Sequence, residues 1–246
     1  TDDLRRIPII TKEDVRKNFD DFKSKDFAAR KPKSSATGGS TGKPLKFFYD
    51  WDAWSIDWAC NYRGWGYAGY NVGDKLVTIG GSSLVPSQKP SFKKQVKNKI
   101  LERHMGLSAF DMSKENMNTY AEVITKYKPH FLRGYASSLY IFAKFCKEYN
   151  INFPTIHAAF TTAETLFPTY RREIEDAFGV DVFDGYGMRD GGGNAMECEM
   201  HSGQHISSER CIMEFVKDNE NISSGEMGNI ILTDLHNYSF PFIRYD

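Results

Sequence analysis

The sequence predicts an α/β fold, on two observations. Segments with strand character and segments with helical spacing alternate along most of the 246-residue chain, which is typical of a sheet with flanking helices. After Glu197 the composition changes to short runs of apolar and β-branched residues, so the end of the chain is predicted to be rich in strands. A chain of this length buries enough surface to fold without a disulfide or a structural metal.

The helices are predicted from their caps and from the spacing of their apolar residues. Thr11, followed by Glu13 and Asp14, has the composition of a helix start. Asp50 is expected to cap a helix with Trp51, Trp54, Trp58, Tyr62 and Trp65 on one face, since these residues are three or four positions apart. Further helices are predicted within Gln88–Met105, within Lys114–Tyr127, from Ser138 to Tyr149, and from Pro168 to Phe178.

The strands are predicted from short apolar runs that lie between turn residues. They are Leu45–Tyr49, Lys75–Ile79, Ala158–Thr162, Val180–Phe183, His205–Ser207, Cys211–Val216 and Asn229–Thr233. The segment Lys31–Pro44 is rich in Lys, Pro, Ser, Thr and Gly, so it is predicted to be a loop, as is the polar segment Lys217–Gly228.

Charge and composition exclude several classes of protein. Lys plus Arg and Asp plus Glu each number 32, so the net charge is zero, which argues against general binding of nucleic acid. No apolar run approaches the ~18 residues of a membrane helix, and the first residues do not resemble a signal peptide. The four cysteines are too few and too scattered for a disulfide framework. The expectation is a cytoplasmic protein without membrane insertion.

The strongest local motif is the glycine-rich segment Thr37–Pro44, Thr-Gly-Gly-Ser-Thr-Gly-Lys-Pro. Its glycines allow successive backbone N–H groups to point into one concavity, and its hydroxyls and Lys43 add donors, which suits a phosphate. It is not a Walker A loop, because Thr37 stands at the first glycine position and Pro44 stands where Ser or Thr would hold magnesium. The alternatives are a flexible connection and, from the Gly-x-Ser-x-Gly pattern at Gly38–Gly42, a hydrolase nucleophile elbow, for which the flanking segments are in the wrong order.

This loop resembles the phosphate-binding signature of the acyl-adenylate-forming enzymes, roughly Thr-Ser-Gly-Ser-Thr-Gly-x-Pro. Three downstream segments resemble further motifs of that family in the family's order: Thr162–Leu166, Asp184–Asp190, and Thr233–Leu235 with Pro241–Tyr245. The first is similar to Gly-Ala-Glu-Pro-Leu, the second to Tyr-Gly-x-Thr-Glu, and the third to the run before a ribose-binding Gly-Asp. Segments similar to the phenylacetate–CoA ligase branch, which includes CapK-like proteins of capsular polysaccharide biosynthesis, are Leu4–Lys12, Arg133–Tyr135, Ala195–Cys198 and His205–Ile206.

The resemblance implies a role for each matching residue. Those that would bind the phosphates of ATP are Thr37, Gly38, Gly39, Ser40, Thr41, Gly42 and Lys43. Those that would surround the adenine are Ala163, Glu164, Asp184, Gly185, Tyr186, Gly187 and Met188, with Tyr186 stacked on the base and Asp184 accepting its amino hydrogen. Asp190 stands where the family has Glu and would hold Mg²⁺, while Arg189 replaces the Thr that contacts the α-phosphate. The catalytic candidates are therefore Arg189, Asp190 and Lys43.

The resemblance also implies the fold and the activity. Residues 1–246 would be the central part of the large N-terminal, ATP-binding domain of an adenylate-forming enzyme, with mixed sheets, flanking helices and a β-rich end. The small C-terminal domain is absent from the sequence, so the chain alone is expected to be inactive. The implied activity is that of an AMP-forming acid–thiol ligase, which uses Mg·ATP, a small carboxylic acid and coenzyme A as acyl acceptor.

The sequence alone leaves two points open. One is the alternative that the protein is a non-catalytic nucleotide-binding homologue in a polysaccharide assembly pathway, which the Arg189 replacement favours. The other is the acid itself, for which Phe131, Tyr135 and Phe160 are candidate pocket residues only because they are aromatic.

A zinc site is a separate hypothesis. Cys198, His201, His205 and Cys211 are four ligands of the types that bind zinc in a tetrahedron. Their spacing is tighter than that of a standard zinc finger and would fit a β-hairpin. The alternative is that Cys198 and His205 are ordinary packed residues and that His201 lies in a surface loop.

Overall fold

The fold is described here from a computed structural model, which covers residues 3–37, 44–81, 84, 103–218 and 220–246. After a single-turn helix Leu4–Arg6, the helices are α1 (Lys12–Lys17), α2 (Phe27–Arg30), α3 (Trp51–Gly66), α4 (Lys114–Tyr127), α5 (Ala136–Glu148) and α6 (Pro168–Phe178). The first six strands are β1 (Lys33–Ala36), β2 (Lys46–Tyr49), β3 (Leu76–Gly80), β4 (His104–Ser108), β5 (Phe131–Tyr135) and β6 (Ala158–Thr162). The other six are β7 (Asp181–Met188), β8 (Gly193–Glu197), β9 (Gln204–Ile206), β10 (Cys211–Lys217), β11 (Glu220–Asn221) and β12 (Asn229–Asp234). The predicted α/β class is confirmed.

The described strands form three sheets. The largest has seven strands in the order β4-β3-β5-β6-β7-β8-β9, and its pairs from β4 to β7 are parallel. A three-stranded antiparallel sheet has the order β11-β10-β12, and β1 pairs with β2 in a two-stranded antiparallel sheet. Because β5, β6 and β7 are parallel, their carboxyl-terminal ends lie next to one another on the same side of the large sheet.

The chain divides into two compact units. The first unit comprises Thr1–Asn61, Gly187–Ala195 and Ile206–Asp246, and the second unit comprises Tyr62–Tyr186 and Met196–His205. The chain crosses from one unit to the other within α3, β7, β8 and β9.

The second unit contains most of the parallel sheet, and side chains alternate between its two faces. On one face Val77, Leu132 and Val182 are fully buried in a core with residues of α4, α5 and α6. On the other face Trp65 stacks on Phe160, which in turn stacks on Phe131 with ring centroids 5.6 Å apart. Phe131 and Phe160 are 2% and 1% exposed, so these two of the three candidate pocket residues belong to this aromatic core, while Tyr135 is half-buried.

The first unit has an aromatic core of its own. Val15 of α1 and Phe47 of β2 are buried with Phe240, Phe242 and Tyr245 from the end of the chain. The backbone of Tyr245 forms reciprocal hydrogen bonds with Leu232, at 2.8 Å each. Helix α1 begins with a capping box, in which the Thr11 side chain accepts from the Asp14 N–H and the Asp14 side chain accepts from the Thr11 N–H. The predicted helix start at Thr11 is confirmed.

Several sequence predictions need correction. Lys33–Ala36, predicted as part of a loop, is a strand because β2 supplies its hydrogen-bond partners, with Ser34 opposite Phe48. His104 and Met105, predicted to end a helix, belong to a parallel strand, while residues 88–102 of that prediction lie outside the described residues. The carboxylate of Asp50, predicted to cap α3, accepts instead from the N–H groups of Tyr238 and Ser239, at 2.9 Å each. In the described part of the chain, no helix is long and apolar enough to cross a membrane.

Candidate functional site

The candidate site in the second unit lies where β6 and β7 run side by side. Thr161 pairs with Asp184 in the register of these parallel strands, so the two side chains project on the same face. The Thr161 hydroxyl donates to Oδ1 of Asp184 at 2.6 Å, and the Gln204 amide donates to Oδ2 at 2.9 Å. Both oxygens of the predicted base-binding carboxylate therefore have a fixed donor.

The environment of Asp184 changes its acidity. Burial is the largest effect and raises the pKa of the Asp184 carboxyl, and the negative charge of Glu197 raises it further. The hydrogen bond from Thr161 and the positive charge of Arg171 act in the opposite direction. The net shift is upward, so Asp184 gains a proton more readily than an exposed carboxyl.

An ion pair between the half-buried Arg171 and the buried Glu197 lies next to Asp184. Nη2 of Arg171 donates to both carboxylate oxygens of Glu197, at 2.8 and 2.7 Å, and Glu197 Oε2 accepts from the backbone N–H of Asp184 at 2.9 Å. Burial raises the pKa of Glu197, but the hydrogen bonds from Arg171 and from Asp184 outweigh it, so the pKa is lowered. Sequence reasoning named Glu197 only within a matching segment and missed Arg171, because 26 residues separate the two partners.

The predicted adenine-binding segment at Ala163 and Glu164 follows β6. Ala163 has a positive φ of 68°, a conformation that costs energy in a residue with a side chain. Oε2 of Glu164 accepts from the N–H of Ser137 in the first turn of α5 at 2.8 Å. The Glu164 side chain therefore accepts from one of the unpaired N–H groups at the start of α5. What the segment Ala163–Glu164 can contribute to the predicted adenine pocket is its backbone.

The remaining predicted residues of the second unit are Gly185 and Tyr186 on β7. A Cβ added to Gly185 would lie 2.8 Å from Sδ of Met196, so a larger residue here would require the Met196 side chain to shift. Tyr186 is half-buried. The structure thus brings Asp184, Gly185 and Tyr186 onto one strand beside β6.

The predicted phosphate loop belongs to the first unit. Gly38, Gly39, Ser40, Thr41, Gly42 and Lys43 lie outside the described residues. On either side of this segment, the Thr37 N–H donates to the Leu45 carbonyl at 3.0 Å, and the Leu45 N–H donates to Oγ1 of Thr37 at 2.9 Å. The sequence did not reveal this pairing of Thr37 with Leu45.

The other predicted residues of the first unit are Gly187 and Met188 at the end of β7 and Arg189 and Asp190 just after it. Gly187 and Arg189 are exposed, Met188 is half-buried against the aromatic core, and Asp190 is only 5% exposed. Oδ2 of Asp190 accepts from the hydroxyl of the fully buried Tyr245 at 2.7 Å. Burial, together with that hydrogen bond and the Asp190 charge, raises the pKa of Tyr245, which therefore stays a hydroxyl donor.

The zinc hypothesis is not supported. Within the described ranges, which include all four candidates, no three His, Cys, Asp or Glu side chains gather as metal ligands. Nδ1 of His201 lies 3.3 Å from Oε2 of Glu197. Burial raises the pKa of the Cys211 thiol. Cys198 is buried, and His205 packs against the Tyr67 ring.

Comparison with curated proteins finds two kinds of relative, although no protein-family model matches the chain. The chain is similar to protein CapK of Staphylococcus aureus, with 33% identity over 194 residues that cover 76% of this chain and 41% of the relative. It is also similar to phenylacetate-coenzyme A ligase of Escherichia coli (strain K12), with 27% identity over 99% of this chain and 56% of the relative. The chain spans about half the length of the curated relatives it matches.

Solved structures share the fold. The chain is similar to 2-hydroxyisobutyryl-CoA ligase in complex with 2-HIB-AMP and CoA, with a TM-score of 0.73, 20% identity, and coverage of 98% of this chain and 58% of that one. It is also similar to an anthranilate CoA ligase in complex with anthranoyl-AMP, with a TM-score of 0.60, 14% identity, and coverage of 83% and 39%. These likenesses confirm the predicted architecture of a large sheet with flanking helices.

Proposed function

Because the chain belongs to the acyl-adenylate-forming superfamily, in the branch of CapK and phenylacetate–CoA ligase, we propose that it is the ATP-binding part of an AMP-forming acid–CoA ligase. The observation that carries the proposal is the order of four motifs along one chain, on a fold shared with a ligase that binds an acyl-adenylate and CoA. Residues 1–246 would then form the central part of the large domain of a cytoplasmic enzyme.

The proposed reaction has two steps. A carboxylate oxygen of the acid attacks the α-phosphorus of ATP, the bond to the β-phosphate bridging oxygen breaks, and an acyl-adenylate and pyrophosphate form. The thiolate of coenzyme A then attacks the acyl carbon and AMP leaves. Such chemistry is accelerated mainly by holding the reactants and by stabilising the charge that develops on the phosphate oxygens.

The residues of this chain fit binding roles in that reaction. Asp184 presents a fixed acceptor for the amino group of adenine, and Tyr186 offers a flat ring to its face. Thr37–Lys43 supplies hydroxyls, an ammonium and the backbone N–H groups that follow Thr37, whose own N–H donates to Leu45, for the phosphates. Arg189, which is exposed, supplies a cation for the α-phosphate.

Magnesium fits one oxygen of Asp190. Mg²⁺ prefers carboxylate oxygens and keeps several of its waters, so a single carboxylate is a suitable protein ligand. Since Oδ2 of Asp190 accepts from Tyr245, Oδ1 is the oxygen that would hold the ion. When bound, the ion would neutralise charge on the phosphates.

A second candidate function is nucleotide binding without catalysis in a polysaccharide assembly pathway. Two observations favour it: Arg189 stands where the family motif has Thr, and the chain is 33% identical to CapK over 76% of its length. This candidate differs from the first in predicting that ATP binds but is not cleaved.

The two functions are separated by measuring products of the intact gene product with Mg·ATP, coenzyme A and a panel of carboxylic acids. A ligase releases equal amounts of pyrophosphate and AMP with an accepted acid and no ADP. Asp190→Asn should lower kcat/KM by about 10²-fold or more, because it removes a charged ligand aimed at the phosphates. The matched control Asp181→Asn, at the exposed first residue of β7, should leave kcat/KM unchanged. ATP binding without pyrophosphate release for any acid would favour the non-catalytic function.

A further inference from the structure

The ion pair between Arg171 and Glu197 lies directly behind the backbone of Asp184. Glu197 is 7% exposed and its Oε2 accepts from the Asp184 N–H at 2.9 Å. Arg171 also donates, through Nη1, to the carbonyl of Val182 two residues earlier on the same strand. The pair therefore holds β7 at two backbone positions on either side of Phe183.

This arrangement fixes an acceptor with a defined direction. The Asp184 carboxylate is held by Thr161 and Gln204, and its backbone by Glu197. An ionised carboxylate can only accept hydrogen bonds, so it attracts an exocyclic amino group and repels a carbonyl oxygen. A shift of the backbone by a few tenths of an ångström would weaken such a bond, since hydrogen bonds depend steeply on distance and angle.

We propose that Glu197, held by Arg171, is a positioning residue that sets the preference for adenine, by fixing Asp184 against the amino group of the base. The inference rests on the proposed function, that the chain binds ATP. A base with a carbonyl oxygen at the same position, as in inosine triphosphate, lacks the amino group and should gain nothing from this arrangement.

Charge effects can be separated from positioning. Among the described residues, the charges that act on Asp184 are those of Glu197 on β8 and Arg171 on α6, and His201 contacts both of these side chains. Because the negative charge of Glu197 raises the pKa of Asp184, the change Glu197→Gln lowers that pKa and keeps Asp184 ionised. A loss of ATP affinity in this variant therefore cannot come from protonation of Asp184.

The experiment measures the dissociation constants of ATP and of inosine triphosphate by calorimetry for the wild-type chain, Glu197→Gln, Asp184→Ala and the double variant. The wild type should prefer ATP by about tenfold or more. Glu197→Gln should raise the dissociation constant of ATP about tenfold and leave that of inosine triphosphate unchanged. A general loss of structure would raise both. The double variant should bind ATP no more weakly than Asp184→Ala, because the two residues act through one contact.

Equal weakening of both nucleotides by Glu197→Gln, no change in ATP affinity, or additive effects in the double variant would overturn the inference while the proposed function stands. A wild-type chain that binds neither nucleotide would overturn the proposed function as well. If circular dichroism shows that Glu197→Gln does not fold, Arg171→Lys replaces it. A lysine keeps the charge but lacks the two separate nitrogens through which Arg171 reaches Val182 and Glu197, so it should weaken ATP binding selectively and to a smaller extent.

Discussion

Replacing Asp234 with Ala is expected to lower the free energy of unfolding by about 3–5 kcal/mol, because it leaves a buried guanidinium without its counter-ion. The side chains of Arg210 and Asp234 are 5% and 4% exposed, and both terminal nitrogens of Arg210 donate to the carboxylate. Nε of Arg210 has no hydrogen-bond partner in the part of the chain that is described, so the carboxylate is the main compensation for this charge. Urea denaturation measures the effect.

Two controls make this prediction specific. In the wild type, Oδ1 of Asp234 accepts hydrogen bonds from the backbone N–H groups of His236 and Asn237, at 2.8 and 3.1 Å. Asp234→Asn keeps an acceptor for these groups and should therefore lower the free energy of unfolding less than Asp234→Ala does. Asp20→Ala breaks an ion pair with Lys23 in which the Asp20 side chain is 84% exposed, and should cost less than about 1 kcal/mol. If Asp234→Ala costs no more than Asp20→Ala, the buried pair is not a stabilising contact.

Replacing Arg171 with Met is the second large effect, again about 3–5 kcal/mol at neutral pH, since it leaves Glu197 buried and charged. The Glu197 side chain is 9% exposed, and Arg171 is its cationic partner at 2.7 Å. The control is Lys147→Met, which breaks a more exposed pair with Glu173 between α5 and α6 and should cost much less stability than Arg171→Met.

The pH dependence of the Arg171→Met effect identifies its cause. In the wild type the pKa of Glu197 is lowered, so its contribution to stability is present above the unfolded pKa of about 4.3 and is lost as the pH falls through the lower folded value. Without Arg171, burial raises the pKa, so the carboxyl takes up a proton on mild acidification and its buried charge disappears. The stability difference between wild type and variant should therefore be largest near about pH 7 and shrink below about pH 5. A difference that is constant with pH would contradict an electrostatic origin.

The helices predicted correctly from the sequence have residues at their ends that favour helix starts and stops. Lys114–Tyr127 begins after Ser113, whose side chain caps the Asn116 N–H, and the helix Pro168–Phe178 has Pro at its first position and Gly179 with a φ of 66° after its end. The strand Phe131–Tyr135 was missed because Arg133 and Gly134 interrupt its apolar pattern. Its conformation comes from β3 and β6, which pair with it on both sides.

The residues of the candidate site also fall into those that the sequence could identify and those that it could not. Asp184, Tyr186 and Asp190 could be named from a contiguous motif, but their partners could not. Thr161 and Gln204 lie 23 and 20 residues from Asp184 in the sequence, and Tyr245 lies 55 residues from Asp190. The zinc hypothesis is not supported by the described residues, since spacing alone does not show where side chains point: Nδ1 of His201 lies 3.3 Å from Oε2 of Glu197.

Thermal unfolding of the 246-residue chain in the presence of Mg·ATP tests whether it binds the nucleotide at all. A ligand at a hundred times its dissociation constant adds about 2.7 kcal/mol to the stability of the folded state. For a chain of this size the melting temperature should rise by about 5–10 °C. Asp184→Ala should reduce the shift at the same ATP concentration. A folded wild-type chain whose melting temperature does not change at millimolar Mg·ATP would contradict ATP binding, and with it the proposed ligase.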